Sequence, residues 1–340
     1  MNSQYRVAVV GGGSFGTVLA NIVAHNGYPV RLWLRDHALA EEMRNTRVNS
    51  RYVPGLSLHE DLEIVTDLKA CIKDADTIIF SIPSKAFRDL LGQSKAYIQP
   101  QQNLVTTAKG IEPENFLLMS QVLEVYFPDN PIGVISGPNL AKEVAQKQLT
   151  GTVIASDNER LRKQVQNILQ CRFFRVYASN DRYGTELGGA LKNIYAIAAG
   201  LSAAMGMGEN TRSMLLTRSL AEMSRLAVYM GANPMTFLGL AGVGDLIVTC
   251  MSPLSRNYRV GFALGQGKCL EDAVAELGEV AEGVNTLALV KVKADELEVN
   301  MPIVDGLYAL VYQGADISTV AQSLMTRDQN SDVEFVLQRS

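Results

Sequence analysis

The chain has 340 residues and a mass of 37.0 kDa, a length that favours two domains. Apolar residues make up 47% and charged residues 19% of the sequence, which is typical of proteins with buried cores and excludes an intrinsically disordered chain. The formal net charge is −4 and no block of Lys and Arg occurs, so we expect no nucleic-acid partner.

The first half of the sequence alternates short apolar runs with helical patterns. The predicted strands are Tyr5–Val10, Pro29–Leu34, Thr77–Ile82, Asn103–Thr107, Ile132–Ser136 and Thr152–Ser156, and the predicted helices include Phe15–Ala24, Leu39–Arg47, Lys85–Leu91 and Ala141–Gln146. Strands that alternate with helices indicate parallel pairing. The pattern therefore predicts an α/β domain with a doubly wound sheet of the Rossmann type.

The second half has a different character from about Asp181 onward. Segments rich in Ala, Leu and Met recur there at helical spacing, and no strand pattern stands out. The predicted helices are Glu186–Met205, Thr211–Met230, Met235–Leu240, Glu271–Leu277, Thr286–Glu296 and Ile317–Met325. We therefore expect an α/β domain over residues 1–180 and an all-helical domain over residues 181–340.

Cysteine and histidine spacing argues against a disulfide framework and a metal site. The four cysteines lie far apart without a CxxC pair, and the three histidines do not cluster with them. The first residues lack the pattern of a signal peptide, and the least polar stretch, Asn193–Gly208, is shorter than the roughly 20 residues of a membrane span. We expect a cytoplasmic protein that holds no metal and does not insert into a membrane.

The segment Gly11–Gly16 has the spacing G-x-G-x-x-G between a predicted strand and a predicted helix. In that context Gly11 permits a tight turn, Gly13 lets the backbone approach a pyrophosphate, and Gly16 lets the helix pack closely on the strand. The helix N-terminus adds positive potential where phosphates would lie. These features predict a dinucleotide-binding domain.

The end of the second predicted strand leaves the choice of dinucleotide open. NAD-specific sites place Asp or Glu there to bond the ribose 2′-hydroxyl, whereas this chain has Arg35 followed by Asp36. Arg35 could accept a 2′-phosphate, which favours NADP over NAD. Alternatively, Arg35 is a solvated strand-end residue and Asp36 the N-cap of the next helix.

Two loops with polar residues follow predicted strands of the sheet. One carries Lys109 within Thr107–Glu112, and the other is Ser136–Asn139. Ligands of such folds bind outside the carboxyl ends of the strands, so both loops are candidates for a binding site. Taken singly, each could also be a tight turn.

The helical half contains a lysine in an apolar, Gly- and Ala-rich stretch, and this Lys192 is followed by Asn193. A partly buried lysine suits proton exchange with a substrate oxygen. Asp245, enclosed by glycines and aliphatic residues, is a candidate partner. Ser255, Arg256 and Asn257 supply donors suited to an anionic phosphate, although each could equally be a cap or a turn.

At these positions the chain closely resembles the bacterial NAD(P)-dependent sn-glycerol-3-phosphate dehydrogenases, nearly from end to end. The similar segments are GGGSFGTVLA, RYVPGLSL, SIPSKAFR, TAKGIE, SGPNLAKEV, ELGGALKNIYAIAAG, GLAGVGDLIVTC, SRNYRVG, VAEGVNT and MPIVDGLY. GGALKN, the GDL segment with its Thr, and SRN are specific to this family rather than to Rossmann folds at large.

The resemblance implies reversible reduction of dihydroxyacetone phosphate to sn-glycerol 3-phosphate, which supplies phospholipid synthesis, and a homodimer. It implies that Lys192 is the general acid/base, with Lys109 and Asp245 as its companions. The implied substrate-binding residues are Lys109, Gly137, Asn139, Lys192, Asn193, Asp245, Thr249, Ser255, Arg256 and Asn257. The implied cofactor-binding residues are Gly11, Gly13, Ser14, Phe15, Gly16, Arg35, Lys109, Ala141, Arg256, Val280 and Glu282.

The chain departs from the family pattern at two positions. Phe15 replaces a common Trp, and Asn139 replaces a common Ser or Thr. Two other functions remain open from the residues: a dehydrogenase acting on a hydroxy acid or sugar acid, and a dinucleotide-binding regulator without catalysis.

Overall fold

The computed structural model describes residues 5–277 and 281–326. Contacts divide the chain into two units, of which the first ends at Glu186 and the second begins at Leu187. The first unit contains an eight-stranded sheet with the strand order β3-β2-β1-β4-β5-β6-β7-β8. The strands are β1 Val7–Val10, β2 Val30–Trp33, β3 Leu62–Val65, β4 Thr77–Phe80, β5 Asn103–Thr106, β6 Ile132–Ser136, β7 Thr150–Ala155 and β8 Phe174–Ser179.

Helices cover both faces of this sheet. They are α1 Ser14–His25, α2 His37–Thr46, α3 Leu68–Ile72, α4 Phe87–Ser94, α5 Met119–Tyr126, α6 Ala141–Ala145 and α7 Glu159–Leu169. Val7 and Val9 of β1 pack with α1, α2, α6 and α7, whereas Ala8 and Val10 pack with α3, α4 and α5. Alternate residues of one strand thus enter two separate cores, as a doubly wound sheet requires. The predicted Rossmann-type fold is confirmed.

The predicted parallel pairing is confirmed for all neighbouring strands except one pair. Strands β6 and β7 pair antiparallel, with Val134 opposite Ala155, whereas the other neighbouring strands pair in parallel. Helix α6 between them has five residues and so rises only about 7.5 Å, less than the roughly 16 Å length of a five-residue strand. The chain therefore enters β7 near the end at which it left β6.

The second unit is helical in the residues that the structure describes. Its helices are α8 Arg182–Ala204, which begins in the first unit, α9 Glu209–Tyr229, α10 Asp245–Met251, α11 Arg256–Gly265, α12 Leu270–Leu277, α13 Glu282–Glu296, α14 Pro302–Tyr312 and α15 Ile317–Thr326. The helix predicted over Met235–Leu240 is wrong, because a 3₁₀ turn, Pro234–Leu238, is followed there by a π-helical turn, Leu240–Gly244.

Helix α8 is the buried centre of the second unit, and glycines bring α11 against it. A Cβ at Gly200 would lie 1.9 Å from the Tyr258 carbonyl oxygen, and one at Gly261 would lie 1.8 Å from the Ile197 carbonyl oxygen. Only glycine fits at either position. No helix among residues 5–277 and 281–326 is both long and apolar enough to cross a membrane.

Candidate functional site

The glycine turn between β1 and α1 has the form that a dinucleotide pyrophosphate requires. Gly11 has a φ of +121°, and a Cβ there would lie 2.3 Å from the Ser81 carbonyl oxygen. A Cβ at Gly16 would lie 2.0 Å from the Gly11 carbonyl oxygen, whereas one at Gly13 would meet nothing within 4 Å. Gly13 is also the N-cap of α1 and has no side chain to cap it. The open space at a helix N-terminus fits an anionic group.

The residues that follow the turn hold neighbouring parts of the first unit. The Ser14 hydroxyl donates to the Tyr52 carbonyl oxygen at 3.1 Å, and Phe15 packs half-buried on the core below α1. The amide of Asn49 donates to the Gly12 carbonyl oxygen at 2.9 Å. The segment around Tyr52 is thereby held at the turn. Asn49 and Tyr52 have no characteristic sequence spacing from the glycines, so this arrangement was not predicted.

Arg35 and Asp36 lie beyond the end of β2 and differ in what they contact. Arg35 is exposed. Asp36 is the N-cap of α2: its Oδ1 accepts from the Leu39 N–H at 3.0 Å, and its Oδ2 lies 3.5 Å from Arg51 Nη1. The carboxylate of Asp36 is therefore engaged in capping and in an ion pair.

Lys109, Gly137 and Asn139 lie together in the first unit, beyond the ends of β5 and β6. Lys109 Nζ donates to the Gly137 carbonyl oxygen at 3.0 Å, and Gly137 has a φ of +127°. Asn139 Nδ2 donates to the Thr152 hydroxyl at 2.9 Å. Its Oδ1 is buried and has no hydrogen-bond partner among the described residues. Ala141 follows as the first residue of α6.

Lys192, Asp245 and Thr249 form a buried polar cluster in the second unit. Lys192 Nζ donates to Asp245 Oδ1 and to the Thr249 hydroxyl, and the Thr249 hydroxyl donates to the Asp245 carbonyl oxygen at 2.6 Å. Asp245 is 1% exposed and Lys192 5%. Burying the Lys192–Asp245 ion pair costs desolvation free energy. Ion pairs kept despite this cost are characteristic of functional sites.

The local sequence places Asp245 at the start of α10, opposite Lys192. In the π-helical turn before it, a Cβ at Gly242 would lie 2.3 Å from the Phe237 carbonyl oxygen. A Cβ at Gly188 of α8 would lie 2.9 Å from the Ala241 carbonyl oxygen. The glycines therefore allow this turn to pack against α8, and Thr249 follows Asp245 by one helical turn.

The neighbouring Cys250 is buried in the same region of the core. Burial raises the pKa of its thiol to about 12, with a further increase from the Asp245 carboxylate and an opposing effect of Lys192. Cys250 is therefore a neutral thiol at physiological pH.

A second polar group in this unit joins three helices. Asn257 Nδ2 donates to Asn193 Oδ1 of α8 at 2.9 Å, and the Gly283 N–H of α13 donates to Asn257 Oδ1 at 3.0 Å. Ser255 is the N-cap of α11 and its hydroxyl accepts from the Tyr258 N–H. Arg256, the first residue of α11, is exposed.

Among the remaining predicted residues, Glu282 is the first residue of α13 and half-buried. Val280 lies outside the described residues. The structure thus brings Lys109, Gly137 and Asn139 together in the first unit, and it groups Lys192, Asp245 and Thr249, and Asn193 and Asn257, in the second.

Two buried carboxyl groups escaped the sequence analysis. Glu186 Oε1 accepts from the Ser120 N–H at 2.9 Å, and Glu222 Oε1 accepts from the Ile303 N–H at 2.6 Å. Burial raises the pKa of each carboxyl to about 7. Both groups cap the N-termini of other helices, and no sequence spacing connects a helix with such a distant cap.

Comparison with known proteins identifies the family. The N-terminal model of NAD-dependent glycerol-3-phosphate dehydrogenase matches residues 6–162, and its C-terminal model matches residues 181–322. The chain is 56% identical over 336 residues to glycerol-3-phosphate dehydrogenase [NAD(P)+] of Pseudomonas entomophila and, equally, to that of Azotobacter vinelandii, covering 99% of this chain and 98% of each relative.

A solved structure gives the same result for the fold. The crystal structure of glycerol-3-phosphate dehydrogenase from Coxiella burnetii superposes with a TM-score of 0.91 at 35% identity, covering 95% of this chain and 99% of that one. Because both family models match and the similarity extends along the chain, this protein belongs to the NAD-dependent glycerol-3-phosphate dehydrogenase family.

Proposed function

We propose that this protein reduces dihydroxyacetone phosphate to sn-glycerol 3-phosphate, reversibly, with NAD(P)H. The observation that carries the proposal is the buried cluster of Lys192, Asp245 and Thr249 in a chain that matches both halves of the family. A non-catalytic regulator has no need for a desolvated ion pair of this kind.

The first unit would bind the dinucleotide. Its pyrophosphate would lie over Gly13 at the uncapped N-terminus of α1, with Gly11, Ser14, Phe15 and Gly16 around it. Ala141, Lys109, Arg256, Val280 and Glu282 are further cofactor-binding residues in this proposal. The bound cofactor supplies the hydride that C2 of the substrate accepts.

Lys192 would supply the proton that completes the reduction. As C2 accepts the hydride, the carbonyl π electrons become a lone pair on the C2 oxygen, and Lys192 Nζ donates a proton to that oxygen. Asp245 and Thr249 hold Nζ in place. In the reverse reaction the neutral amine accepts the proton. Lys109, which the family resemblance gives as a companion of Lys192, is a further catalytic residue in this proposal.

The substrate phosphate would be bound by residues of α11 and α8. Arg256 can donate two parallel hydrogen bonds to phosphate oxygens, and Ser255, Asn257 and Asn193 add polar donors. Gly137 and Asn139 complete the proposed set of substrate contacts. Asn139 Oδ1, which has no hydrogen-bond partner within residues 5–277 and 281–326, would accept from a substrate hydroxyl.

NADP is the favoured dinucleotide in this proposal. Asp36 is engaged as the N-cap of α2 and with Arg51, so its carboxylate is not offered to a ribose 2′-hydroxyl. The exposed Arg35 beside it suits a 2′-phosphate.

In the cell, we propose a cytoplasmic homodimer that supplies glycerophospholipid synthesis, with the domain boundary between residues 180 and 181. The boundary is supported by the start of the second family match at residue 181. Association is supported by exposed apolar side chains in the second unit: Met235, Leu238, Ile247, Met251 and Leu254.

A steady-state comparison of NADPH and NADH with dihydroxyacetone phosphate tests the proposal. We expect oxidation of both cofactors with a higher kcat/KM for NADPH, and no oxidation with ketopantoate as the acceptor. Turnover of ketopantoate in place of the triose phosphate would contradict the proposed substrate.

A further inference from the structure

Side-chain contacts hold the chain on either side of Lys109, and both lead to the connection between β4 and α4. Before Lys109, the Thr107 hydroxyl donates to the Ser81 hydroxyl at 3.0 Å. After Lys109, the Glu112 carboxylate accepts from Arg88 Nε at 2.9 Å. Ser81 directly follows β4, and Arg88 is the second residue of α4. The segment that carries Lys109 is thus attached at both ends to the same part of the first unit.

The Glu112 carboxylate is buried, and both of its oxygens accept hydrogen bonds. Glu112 is 6% exposed. Its Oε1 accepts from Arg88 Nε, and its Oε2 accepts from the Asn115 N–H at 2.9 Å. The Glu112 N–H donates to the Leu117 carbonyl oxygen at 2.8 Å. Glu112 therefore closes the turn that precedes α5 and attaches this turn to α4 through a charge-assisted hydrogen bond.

These attachments matter for Lys109 because its ammonium is carried on a long, flexible side chain. Lys109 Nζ donates to the Gly137 carbonyl oxygen at 3.0 Å, and a fixed backbone keeps Nζ at this place. The neighbouring Gly110 has no side chain and gives the backbone more conformational freedom. A displacement of about 1 Å in a catalytic group can reduce the rate about 10²-fold. The contacts on either side of Lys109 therefore affect what its ammonium can do.

We propose that Glu112, held by Arg88, is a positioning residue for Lys109. The inference rests on the proposed function, in which Lys109 is a catalytic residue. Glu112 and Arg88 contact neither substrate nor cofactor in this proposal. Their ion pair instead fixes the backbone from which Lys109 Nζ reaches the Gly137 carbonyl oxygen.

The test is the variant Glu112→Ala in the full-length enzyme. This substitution leaves no buried charge without a counter-charge, because the remaining Arg88 side chain is 33% exposed and water can solvate its guanidinium. We expect kcat/KM for dihydroxyacetone phosphate to fall about tenfold or more, since Lys109 is no longer held in place. An unchanged kcat/KM would overturn the inference.

A second background shows whether Glu112 acts through Lys109. In Lys109→Ala, the further change Glu112→Ala should alter kcat/KM by less than about twofold, because the side chain to be positioned is absent. A purely structural role would lower kcat/KM by the same factor in both backgrounds, and that result would overturn the inference. Glu112→Gln, which keeps the size but offers one acceptor oxygen in place of two, should show the same dependence on Lys109.

Glu63→Ala is the matched control, because it removes a similar ion pair elsewhere in the first unit. Arg31 Nε lies 2.9 Å from Glu63 Oε2, and the Arg31 side chain is 31% exposed. This ion pair connects β2 with β3. Glu63→Ala should leave kcat/KM within about twofold of wild type. If it lowers kcat/KM as much as Glu112→Ala does, the loss follows from breaking any such ion pair and the inference fails.

Hydrogen exchange without substrate separates the role of the ion pair from the proposed function. Peptides that cover residues 107–118 should exchange faster in Glu112→Ala than in wild type, and at the wild-type rate in Glu63→Ala. Unchanged exchange in Glu112→Ala would overturn the inference. A wild-type enzyme that reduces no dihydroxyacetone phosphate would overturn the proposed function, while the exchange rates would still decide whether Glu112 holds this segment.

Discussion

The ammonium of Lys192 lies between the Asp245 carboxylate and the Thr249 hydroxyl. These neighbours affect the stability of any Lys192 variant. Removing the lysine alone leaves the buried Asp245 carboxylate without its counter-charge, which typically costs about 3–5 kcal/mol of stability. Loss of activity in Lys192→Ala is therefore informative only if the protein is shown to remain folded.

We expect Lys192→Ala to reduce kcat by about 10²–10⁴-fold, the usual contribution of a general acid, with NADPH binding nearly unchanged. Lys192→Arg is the matched control, because a guanidinium keeps the charge but cannot give up its proton. Steady-state kinetics and fluorescence titration of NADPH measure the two effects. Wild-type turnover in either variant would remove Lys192 from the proton transfer.

At the phosphate, Arg256→Ala should raise the KM for dihydroxyacetone phosphate by about 10–100-fold, since hydrogen bonds to charged groups contribute about 1.5–3 kcal/mol. Arg256→Lys should fall between wild type and Arg256→Ala, because it keeps a charge without the paired donors. Initial rates over a range of substrate concentrations provide the measurement. An unchanged KM in both variants would exclude Arg256 from the phosphate site.

Cofactor preference is also decided at single residues. Arg35→Ala should raise the KM for NADPH and leave that for NADH nearly unchanged, because only NADPH carries the 2′-phosphate. Equal changes for both cofactors in the same assay would contradict this role for Arg35.

Among secondary-structure elements, α14 begins at an unusual cap. Ile303 and Val304 donate their N–H groups to Glu222 of α9, and the Tyr195 hydroxyl lies 3.4 Å from the same carboxyl. Burial raises the pKa of Glu222 to about 7 in the folded protein, from an ordinary value of 4.5. The folded state thus binds this proton more tightly than the unfolded state does. Protonation of Glu222 therefore contributes to the free energy of unfolding in full below pH 4.5, and this contribution is lost as the pH rises to about 7.

We therefore expect the stability of the Glu222→Gln variant to depend less on pH between pH 4.5 and 7 than the stability of wild type does. The Tm of the variant minus the Tm of wild type should become more positive from pH 5 to pH 8. A change of 1 kcal/mol in stability corresponds to about 2–4 °C in Tm. Glu209→Gln, at an exposed position at the start of α9, should give a flat difference. A flat difference for Glu222→Gln as well would show that its carboxyl is ionised in the fold at low pH.

The elements also show where sequence reasoning succeeds. The central strands were predicted because they are continuous apolar runs buried on both faces. The two strands that escaped prediction, β3 and β8, are the edges of the sheet. Each carries a charged residue, Glu63 or Arg175, at an exposed position, which is usual for edge strands and hides them from a search for apolar runs.

The residues of the site also differ in whether the neighbouring sequence reveals them. Lys192 and Gly11–Gly16 stand out because their local sequence is unusual for its surroundings. Gly283 and Glu222 do not, because their partners are 26 and 81 residues away along the chain and only the folded structure pairs them.

For the molecule as a whole, the proposed homodimer predicts a mass in solution of twice the 37.0 kDa chain. Exposed apolar residues of α10 and its neighbours support association. Light scattering coupled to gel filtration measures the mass directly, and Met251→Glu should shift it towards that of one chain if α10 contributes to the contact. A single-chain mass for wild type at micromolar concentration would contradict the proposed dimer.

The buried Cys250 beside Thr249 has a consequence for chemical labelling of the whole protein. Because the pKa of its thiol is raised to about 12, almost no thiolate is present at neutral pH, and only the thiolate reacts readily with electrophiles. The exposed Cys269 is open to iodoacetamide, whereas Cys250 should be alkylated only when the core around it opens. The rate at which Cys250 is labelled, measured by mass spectrometry, would then report the rate of local unfolding beside the Lys192 cluster.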